Sequence, residues 1–254
     1  ARAWYGLGAK RVVVARELSL SEIRTMRDKI PSDMEIEAFV HGAMCISYSG
    51  RCLLSNYLSG RDANRGACAH PCRWKYHLVE ETRPGEYMAI EEDERGTYIY
   101  NSKDLCMIEH IPELAEAGVY SLKIEGRMKT PFYVGTVVKA YRQAIDNFYN
   151  DPERYQERVP YYLEEVSKAS HRAYTTAFYY GKPDGNQQVY TNNSYIREYD
   201  FIGMVQKDWD EKTGLAVVEQ RNKFSVGDEI EVMPAEGDSF AVKVTEIWNE
   251  AGEK

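Results

Sequence analysis

The chain has 254 residues and a formal net charge of −8, and 43% of its residues are hydrophobic while 28% are charged. This length predicts one large or two modest domains, and the apolar fraction is sufficient for a hydrophobic core. No apolar run approaches the roughly 20 residues of a membrane span, and the acidic balance argues against binding of nucleic acid over the whole surface. The sequence shows no signal peptide, so we expect a cytoplasmic protein without membrane contact.

The first elements follow a β–α–β pattern. Lys10 to Ala15 is a short β-branched run that is typical of a buried parallel strand. Ser19 or Ser21 then caps a predicted helix that ends before Pro31. Glu35 to Val40 is the next predicted strand. This order of elements indicates α/β architecture.

Short elements are predicted in the middle of the chain. The segments Lys75 to Val79 and Tyr87 to Ile90 are expected to pair as a hairpin. A helical stretch is expected to begin at Asp104 and to end near Gly118, which is a typical C-cap residue. Val119 to Ile124 is a predicted strand that runs directly into a polar turn.

The last part of the chain changes from helical to strand periodicity. Two amphipathic helices on either side of Asp151-Pro152 are followed by a Gly/Asn/Pro-rich linker, Gly181 to Asn193. We therefore expect one domain over residues 1–180 and a second over residues 181–254. Short alternating segments separated by turns predict that the second domain is a small all-β barrel. These segments begin at Phe201, Gly214, Val226 and Phe240.

Four of the five cysteines lie in a loop that follows the strand at Glu35, namely Cys45, Cys52, Cys68 and Cys72. A loop of this length is expected to have a function or a bound metal. An odd number of cysteines excludes a complete disulfide framework, and thiolates suit zinc or an iron–sulfur cluster. The six residues between Cys45 and Cys52 are a looser fit for zinc than for a [4Fe–4S] cluster. Three interpretations of these cysteines therefore stay open: a [4Fe–4S] cluster, a structural zinc ion, and thiols that bind no metal.

Charged residues at two strand ends are the candidates for chemistry. Glu37 and Glu125 can orient a substrate or act as a base, or they form structural salt bridges. Lys123 and Arg127 can bind a dicarboxylate, or they belong to a solvated basic turn. These residues are placed where chemistry gathers in parallel α/β sheets, at the C-terminal ends of strands.

Further candidates surround the cysteine loop. His41 can act as an acid, a base or a ligand, with packing as the alternative. Arg51, Arg65 and Arg73 can compensate a negative metal centre, and Tyr133 can stack on an unpaired RNA base. The catalytic candidates are thus Glu37, Glu125 and Tyr133, and the substrate-binding candidates are His41, Arg51, Arg73, Lys123 and Arg127. A peptidase is the less favoured class, because neither G-x-S-x-G nor H-E-x-x-H occurs.

The motif E-x-F-x-x-G-A-M-C-x4-G-R-C-L-L-S, from Glu37 to Ser55, resembles the signature of a family of collagenase-like peptidases of unassigned mechanism. The resemblance continues through Arg65 to Trp74, Asn101 to Cys106 and Ser121 to Lys129. Within the family, the chain is most similar to the branch of prephenate-dependent tRNA uridine hydroxylation proteins.

The resemblance implies the C-terminal part of a (β/α) TIM-type barrel with a cysteine-rich loop, followed by a small β-barrel like the second domain of translation elongation factors. It implies that an N-terminal half-barrel precedes this chain in the family. It also implies a [4Fe–4S] cluster on Cys45, Cys52, Cys68 and Cys72, with zinc as the alternative and Cys106 as a substitute for Cys72 in some relatives.

The function implied is prephenate-dependent 5-hydroxylation of the wobble uridine of tRNA. The expected partners are tRNA, prephenate, and either a paralogous subunit or further copies of the chain. Two alternatives stay open: a collagenase-like peptidase, and a non-catalytic RNA-binding protein with structural zinc.

Overall fold

The computed structural model describes residues 1–44, 51–74, 77–78, 88–89, 102–126, 129–182 and 196–254. The chain divides into two compact units, Ala1–Ile196 and Arg197–Lys254. Apart from Gly181 and Lys182, the predicted linker Gly181 to Asn193 lies outside the described residues. The same holds for Cys45 and Arg127, whose predicted roles are therefore not tested by the structure.

A mixed sheet forms the centre of the first unit. Strand β2 (Glu35–Ala43) pairs in parallel with β1 (Arg11–Val13) and with β6 (Ser121–Ile124). The C-terminal end of β2 also pairs antiparallel with β5 (Asp104–Cys106), and β5 pairs in parallel with β7 (Tyr174–Thr175). The predicted α/β class is confirmed, but the described strands form an open sheet and not a closed barrel.

Helices surround this sheet. They are α1 (Arg2–Gly6), α2 (Leu20–Lys29), α3 (Leu54–Ser59), α4 (Ile111–Glu116), α5 (Pro131–Asn150) and α6 (Pro152–Ser167), with 3₁₀ turns at Ala63–Arg65, Pro71–Arg73 and Ile108–His110. Helix α2 confirms the predicted start, because Ser19 and Glu22 form a reciprocal capping box. The predicted hairpin is also present, since β3 (His77–Leu78) pairs antiparallel with β4 (Met88–Ala89).

The prediction that a helix begins at Asp104 is wrong. Asp104, Leu105 and Cys106 are all buried and form β5 against the end of β2. Helical structure begins only at the 3₁₀ turn that precedes α4. Tertiary pairing determines this strand, which propensity alone does not identify.

The core lies between the sheet and the last two helices. On β2, Ile36, Ala38 and Val40 are fully buried, as the alternation of a strand requires. The hydroxyl of Tyr141 on α5 donates to the carbonyl of Val40 at 2.8 Å and accepts from the N–H of Met107 at 3.0 Å. Tyr141 thereby fixes α5 to two neighbouring parts of the sheet.

The end of β2 approaches the end of β6 very closely. Gly42 has a φ of +107°, and a Cβ at this position would overlap the carbonyl oxygen of Glu125. The N–H of Glu125 also donates to the carbonyl of His41 at 2.9 Å. Only glycine meets both requirements, the positive φ and the close approach.

The second unit contains two antiparallel strand pairs, β8 (Gly203–Asp210) with β9 (Leu215–Gln220) and β10 (Glu229–Val232) with β11 (Phe240–Lys243). These four strands confirm the predicted segments, while a closed β-barrel stays a prediction. Residues 197–254 contain seven Lys and Arg against fourteen Asp and Glu. Nearly all of the net negative charge of the chain therefore lies in this unit.

Within the described ranges, no helix has both the length and the apolar character needed to span a bilayer.

Candidate functional site

Three parallel strands end at the same edge of the sheet, where chemistry is usually found in α/β proteins. Arg16 follows β1, Glu125 follows β6, and the cysteine loop (residues 44–74) follows β2. Arg16 joins all three, because its Nη2 donates to Oε2 of Glu125 at 3.2 Å and its Nη1 donates to the carbonyl of Ala43 at 3.2 Å. We call this group the strand-end site.

An aromatic ring also packs against the guanidinium group of Arg16. The guanidinium carbon lies 3.9 Å from the ring centroid of Phe39, and the side chain of Arg16 is only 14% exposed. Sequence analysis did not identify Arg16 as a site residue. A signal was present, because Arg16 directly follows the predicted strand that ends at Ala15, as Glu125 follows its own strand.

Glu37 lies earlier on β2 and is surrounded by polar partners. Its Oε2 accepts from the hydroxyl of Ser121 at 3.0 Å and from Nη1 of Arg11 at 3.1 Å, and Nζ of Lys123 lies 3.6 Å from its Oε1. Burial acts to raise the pKa of Glu37, but the hydrogen bonds from Ser121 and Arg11 and the charges of Lys123 and Arg11 outweigh it and hold the pKa below its usual value. The carboxylate is therefore ionised at neutral pH. The salt bridge considered for Glu37 exists, and its cations are Arg11 and Lys123.

Lys123 is more accessible than Arg16. Its side chain is 42% exposed, and its Nζ lies 5.0 Å from the ring centroid of Phe39, its cross-strand neighbour. Phe39 thus has both Lys123 and Arg16 within cation–π distance. The two cations therefore contact the same ring on β2.

His41 lies in the interior, beneath the strand-end site. It is 1% exposed, and neither ring nitrogen has a hydrogen-bond partner among the described residues. The rings of Tyr133, Tyr141 and Tyr174 surround it at 5.4 to 6.1 Å. Burial lowers the pKa of His41 to about 3, with a smaller opposing effect from the charge of Asp104. The imidazole is therefore neutral.

Tyr133 also lies in the interior. It is 2% exposed, and its hydroxyl lies 3.5 Å from the carbonyl oxygen of Glu125. Nζ of Lys129 is 4.8 Å from its ring centroid. In this position Tyr133 supports the Glu125 turn and offers no open ring face for stacking on a base.

Cys52 and Cys68 are partly exposed, Cys72 is buried, and none of the three forms a disulfide. The N–H of Ala69 donates to Oγ of the fully buried Ser55 at 2.9 Å, so the segment between Cys68 and Cys72 contacts the helix that follows Cys52. His70 has a left-handed backbone, with a φ of 54°, and its N–H donates to Sγ of Cys68 at 3.3 Å.

The described part of the cysteine loop does not by itself form a metal centre. No three His, Cys, Asp or Glu side chains of the described residues lie together in a way that holds a metal ion. The chemistry of the loop nevertheless suits one, because its thiols are soft ligands and an N–H already donates to one sulfur. Cys45 is needed to complete a set of four thiols in this loop.

Cys106 is separate from that loop. It lies on β5, directly opposite His41 on β2, and it is 6% exposed. Burial raises the pKa of its thiol to about 12. Cys106 thus lies on the sheet, whereas Cys72 lies in the loop with the other predicted ligands.

The basic residues of the loop include exposed side chains. Arg51, Arg61 and Arg65 are all exposed, whereas the side chain of Arg73 lies outside what the structure describes. Arg65 ends the 3₁₀ turn Ala63–Arg65. The loop therefore presents positive charge to solvent on a chain that is acidic as a whole.

Comparison with known proteins identifies relatives along almost the whole chain. A Bacillus subtilis protein named tRNA hydroxylation protein P1 is 44% identical over 249 residues, which are 98% of this chain and 58% of that protein. An Escherichia coli protein named tRNA hydroxylation protein P is 39% identical, over 92% of this chain and 59% of that protein. A Porphyromonas gingivalis protein named collagenase is 32% identical, over 96% of this chain and 60% of that protein.

This chain thus spans about three fifths of the length of these relatives. The comparison with solved structures found no significant match. Among protein families, Peptidase family U32 matches residues 1–189, and the Peptidase family U32 C-terminal domain matches residues 197–254. These matches confirm the resemblance stated from the motifs, and the chain belongs to peptidase family U32.

Proposed function

We propose that this chain is part of an enzyme that hydroxylates RNA, with the wobble uridine of a tRNA as its substrate and prephenate as the hydroxyl donor. The observation that carries the proposal is the similarity to proteins named for tRNA hydroxylation. That similarity covers nearly the whole chain, and therefore includes both the strand-end site and the cysteine loop. Because the relatives are longer, the activity is assigned to the whole protein and not to this part alone.

The cysteine loop would hold a [4Fe–4S] cluster through Cys45, Cys52, Cys68 and Cys72. When bound, such a cluster supplies electron transfer or a Lewis-acidic iron. The protein would hold the thiols as thiolates, and Arg16 would bind the start of the loop through its hydrogen bond to the carbonyl of Ala43. The N–H of His70 stabilises negative charge on the sulfur of Cys68.

The strand-end site would receive the small acidic donor. Lys123 is an accessible cation near this site, and Arg127 follows it in the sequence. An ammonium or guanidinium group binds a carboxylate through charge-assisted hydrogen bonds. Glu125, held by Arg16, would then orient the reacting part of the donor or accept a proton from it.

The tRNA phosphates would bind to exposed arginines of the cysteine loop. Arg51, Arg61 and Arg65 are exposed and lie in the same loop as the thiols. The second unit is a poor phosphate-binding surface, since its acidic residues outnumber its basic residues by fourteen to seven. The RNA contact is therefore assigned to the first unit.

The collagenase name of one relative makes a cysteine peptidase the second candidate function. Among the described residues, Cys106 and His41 are a buried pair with the right residue types, because they lie opposite each other on β5 and β2. A peptidase dyad needs a thiolate beside an imidazolium. Burial instead raises the pKa of Cys106 to about 12 and lowers the pKa of His41 to about 3. Both groups are neutral and buried, which disfavours proteolysis at this pair.

An experiment on the full-length protein, purified without oxygen, separates the candidates. Iron and acid-labile sulfide are measured for wild type, Cys52→Ser, Cys72→Ser and Cys106→Ser, and gelatin cleavage is measured on the same samples. We expect wild type and Cys106→Ser to contain iron and sulfide, and the other two variants to lose most of both. Zinc in place of iron would favour a structural metal site. Gelatin cleavage that is lost in Cys106→Ser would overturn the proposal in favour of the peptidase.

A further inference from the structure

Arg16 connects two parts of the site that are far apart in sequence. One hydrogen bond joins it to Glu125, and the other joins it to the carbonyl of Ala43, two residues before Cys45. The ring of Phe39 supports the guanidinium group at 3.9 Å. A single side chain thus contacts the carboxylate that follows β6 and the first residues that lead into the cysteine loop.

The chemistry of the contact requires arginine. A planar guanidinium can donate in two directions and stack on a ring at the same time, whereas a lysine ammonium on a flexible chain cannot do all three in one geometry. The Arg16 side chain is 14% exposed and the Glu125 side chain is 26% exposed, so salt screens this pair less than an ion pair on the open surface. The ion pair between Arg16 and Glu125 therefore holds the two side chains in a fixed position.

We infer that Arg16 is a positioning residue that holds Glu125 and the start of the cysteine loop at a fixed separation. Its effect on the reaction passes through these two groups, so it need not touch the substrate. The inference rests on the proposed function in one respect, namely that Cys45 belongs to a metal centre. The mechanical part, fixation of the loop by Arg16, is independent of any metal.

The test compares Arg16→Gln and Arg16→Lys with a matched control in the full-length protein. The control is Arg24→Gln, since Arg24 forms an arginine–glutamate pair with Glu116 at 3.3 Å, between α2 and α4 and away from the site. Circular dichroism and thermal unfolding first establish that each variant is folded. If Arg16→Gln does not fold, Arg16→Lys carries the comparison, because it keeps the charge.

The first measurement uses metal-free protein. Hydrogen–deuterium exchange is followed in a peptide covering residues 40–54, and the alkylation rates of Cys45 and Cys52 are followed by mass spectrometry. Loss of the bond to Ala43 should accelerate exchange in this peptide by about three- to tenfold in Arg16→Gln. Arg16→Lys should give an intermediate rate, and Arg24→Gln should match wild type.

The second measurement uses protein reconstituted with iron and sulfide. We expect Arg16→Gln to hold less iron and to show a shifted visible spectrum or reduction potential, with partial recovery in Arg16→Lys. If wild type takes up no cluster but exchange responds as described, the positioning role stands and the cofactor proposal fails. If wild type carries a cluster while Arg16→Gln equals it in exchange, alkylation and spectrum, the inference is overturned and the proposed function stands.

Discussion

The side chain of Ser55 accepts a hydrogen bond from the N–H of Ala69 at 2.9 Å, which joins the helix after Cys52 to the turn between Cys68 and Cys72. Ser55 is fully buried. The bond brings together two parts of the loop that each contain predicted metal ligands. Two consequences follow, one for stability and one for the metal site.

Replacing Ser55 by alanine should destabilise the cysteine loop by about 1–3 kcal/mol, because the N–H of Ala69 would lose its acceptor. The bound iron per protein should fall as the thiols lose their alignment. Ser59→Ala is the matched control, since the Ser59 hydroxyl donates within its own helix, to the carbonyl of Ser55 at 2.6 Å. Chemical unfolding and iron analysis measure both effects. Equal behaviour of the two variants would show that the Ser55–Ala69 bond has no special role.

Gly42 should tolerate no side chain. In Gly42→Ala the positive φ costs about 1–2 kcal/mol, and overlap with the Glu125 carbonyl adds about 1–3 kcal/mol. Gly60→Ala provides the comparison, because Gly60 also has a positive φ, +67°, but open space around its Cβ position. The difference between the two free energies of unfolding isolates the close approach of β2 and β6. A difference near zero would contradict that close approach.

His41 should make the fold sensitive to acid. Its pKa falls from 6.5 to about 3 on folding, because burial disfavours the charged ring. As the pH decreases from 6.5 towards 3, the unfolded chain binds a proton that the folded chain excludes. Stability should therefore be complete above pH 6.5 and should fall below it by about 1.4 kcal/mol per pH unit.

The His41 effect is measured by urea unfolding at a series of pH values. His41→Gln should remove this part of the pH dependence, although the variant is less stable at neutral pH. His110→Gln is the control, since it replaces a partly exposed histidine and leaves the buried His41 in place. The same pH dependence in wild type and His41→Gln would show that His41 does not exclude the proton.

RNA binding should depend on the basic loop and not on the acidic second unit. Arg65→Ala should weaken tRNA binding and reduce the slope of log K against log salt by about 0.7 to 0.9, the contribution of one phosphate contact. Lys212→Ala removes an equally exposed charge from the second unit and should change neither quantity. Filter binding of tRNA across a salt series measures both. A larger effect from Lys212→Ala would move the RNA contact to the second unit.

The sequence predicted those elements that have a clear local pattern, such as a helix cap, a β-branched run or an alternation of apolar residues. The Ser19 cap and the alternating second-unit strands correspond to observed elements. The β-branched run at Val12 forms the parallel strand β1, but Val13 is exposed and not buried as predicted. Strand β5 was not predicted, because its three residues become a strand only by pairing with the end of β2. Short strands that depend on a distant partner have no periodic pattern of their own.

Only part of the candidate site was predicted, and the rest was missed because it also depends on contacts between residues distant in sequence. Lys123 and Glu125 follow from their positions at the end of the predicted strand Val119 to Ile124, and the structure places both near the end of β6. Glu37 was also predicted at a strand end, but it lies near the start of β2, opposite the first residue of β6. Arg16 was missed because its importance lies in contacts with Glu125 and Ala43, which are distant in sequence. The interior position of Tyr133 was not predicted, since its burial depends on how α5 packs on the sheet, whereas packing was the stated alternative for His41.

The mass of the target nucleoside tests the central claim most directly. Full-length protein with reconstituted metal is incubated with unmodified tRNA and with or without prephenate, and the digested nucleosides are analysed by mass spectrometry. The account predicts that a uridine of the tRNA gains one oxygen atom only when prephenate is present, and that Cys52→Ser abolishes the gain while Cys106→Ser retains it. An unchanged uridine mass with metal-loaded wild-type protein, prephenate and tRNA together would contradict RNA hydroxylation.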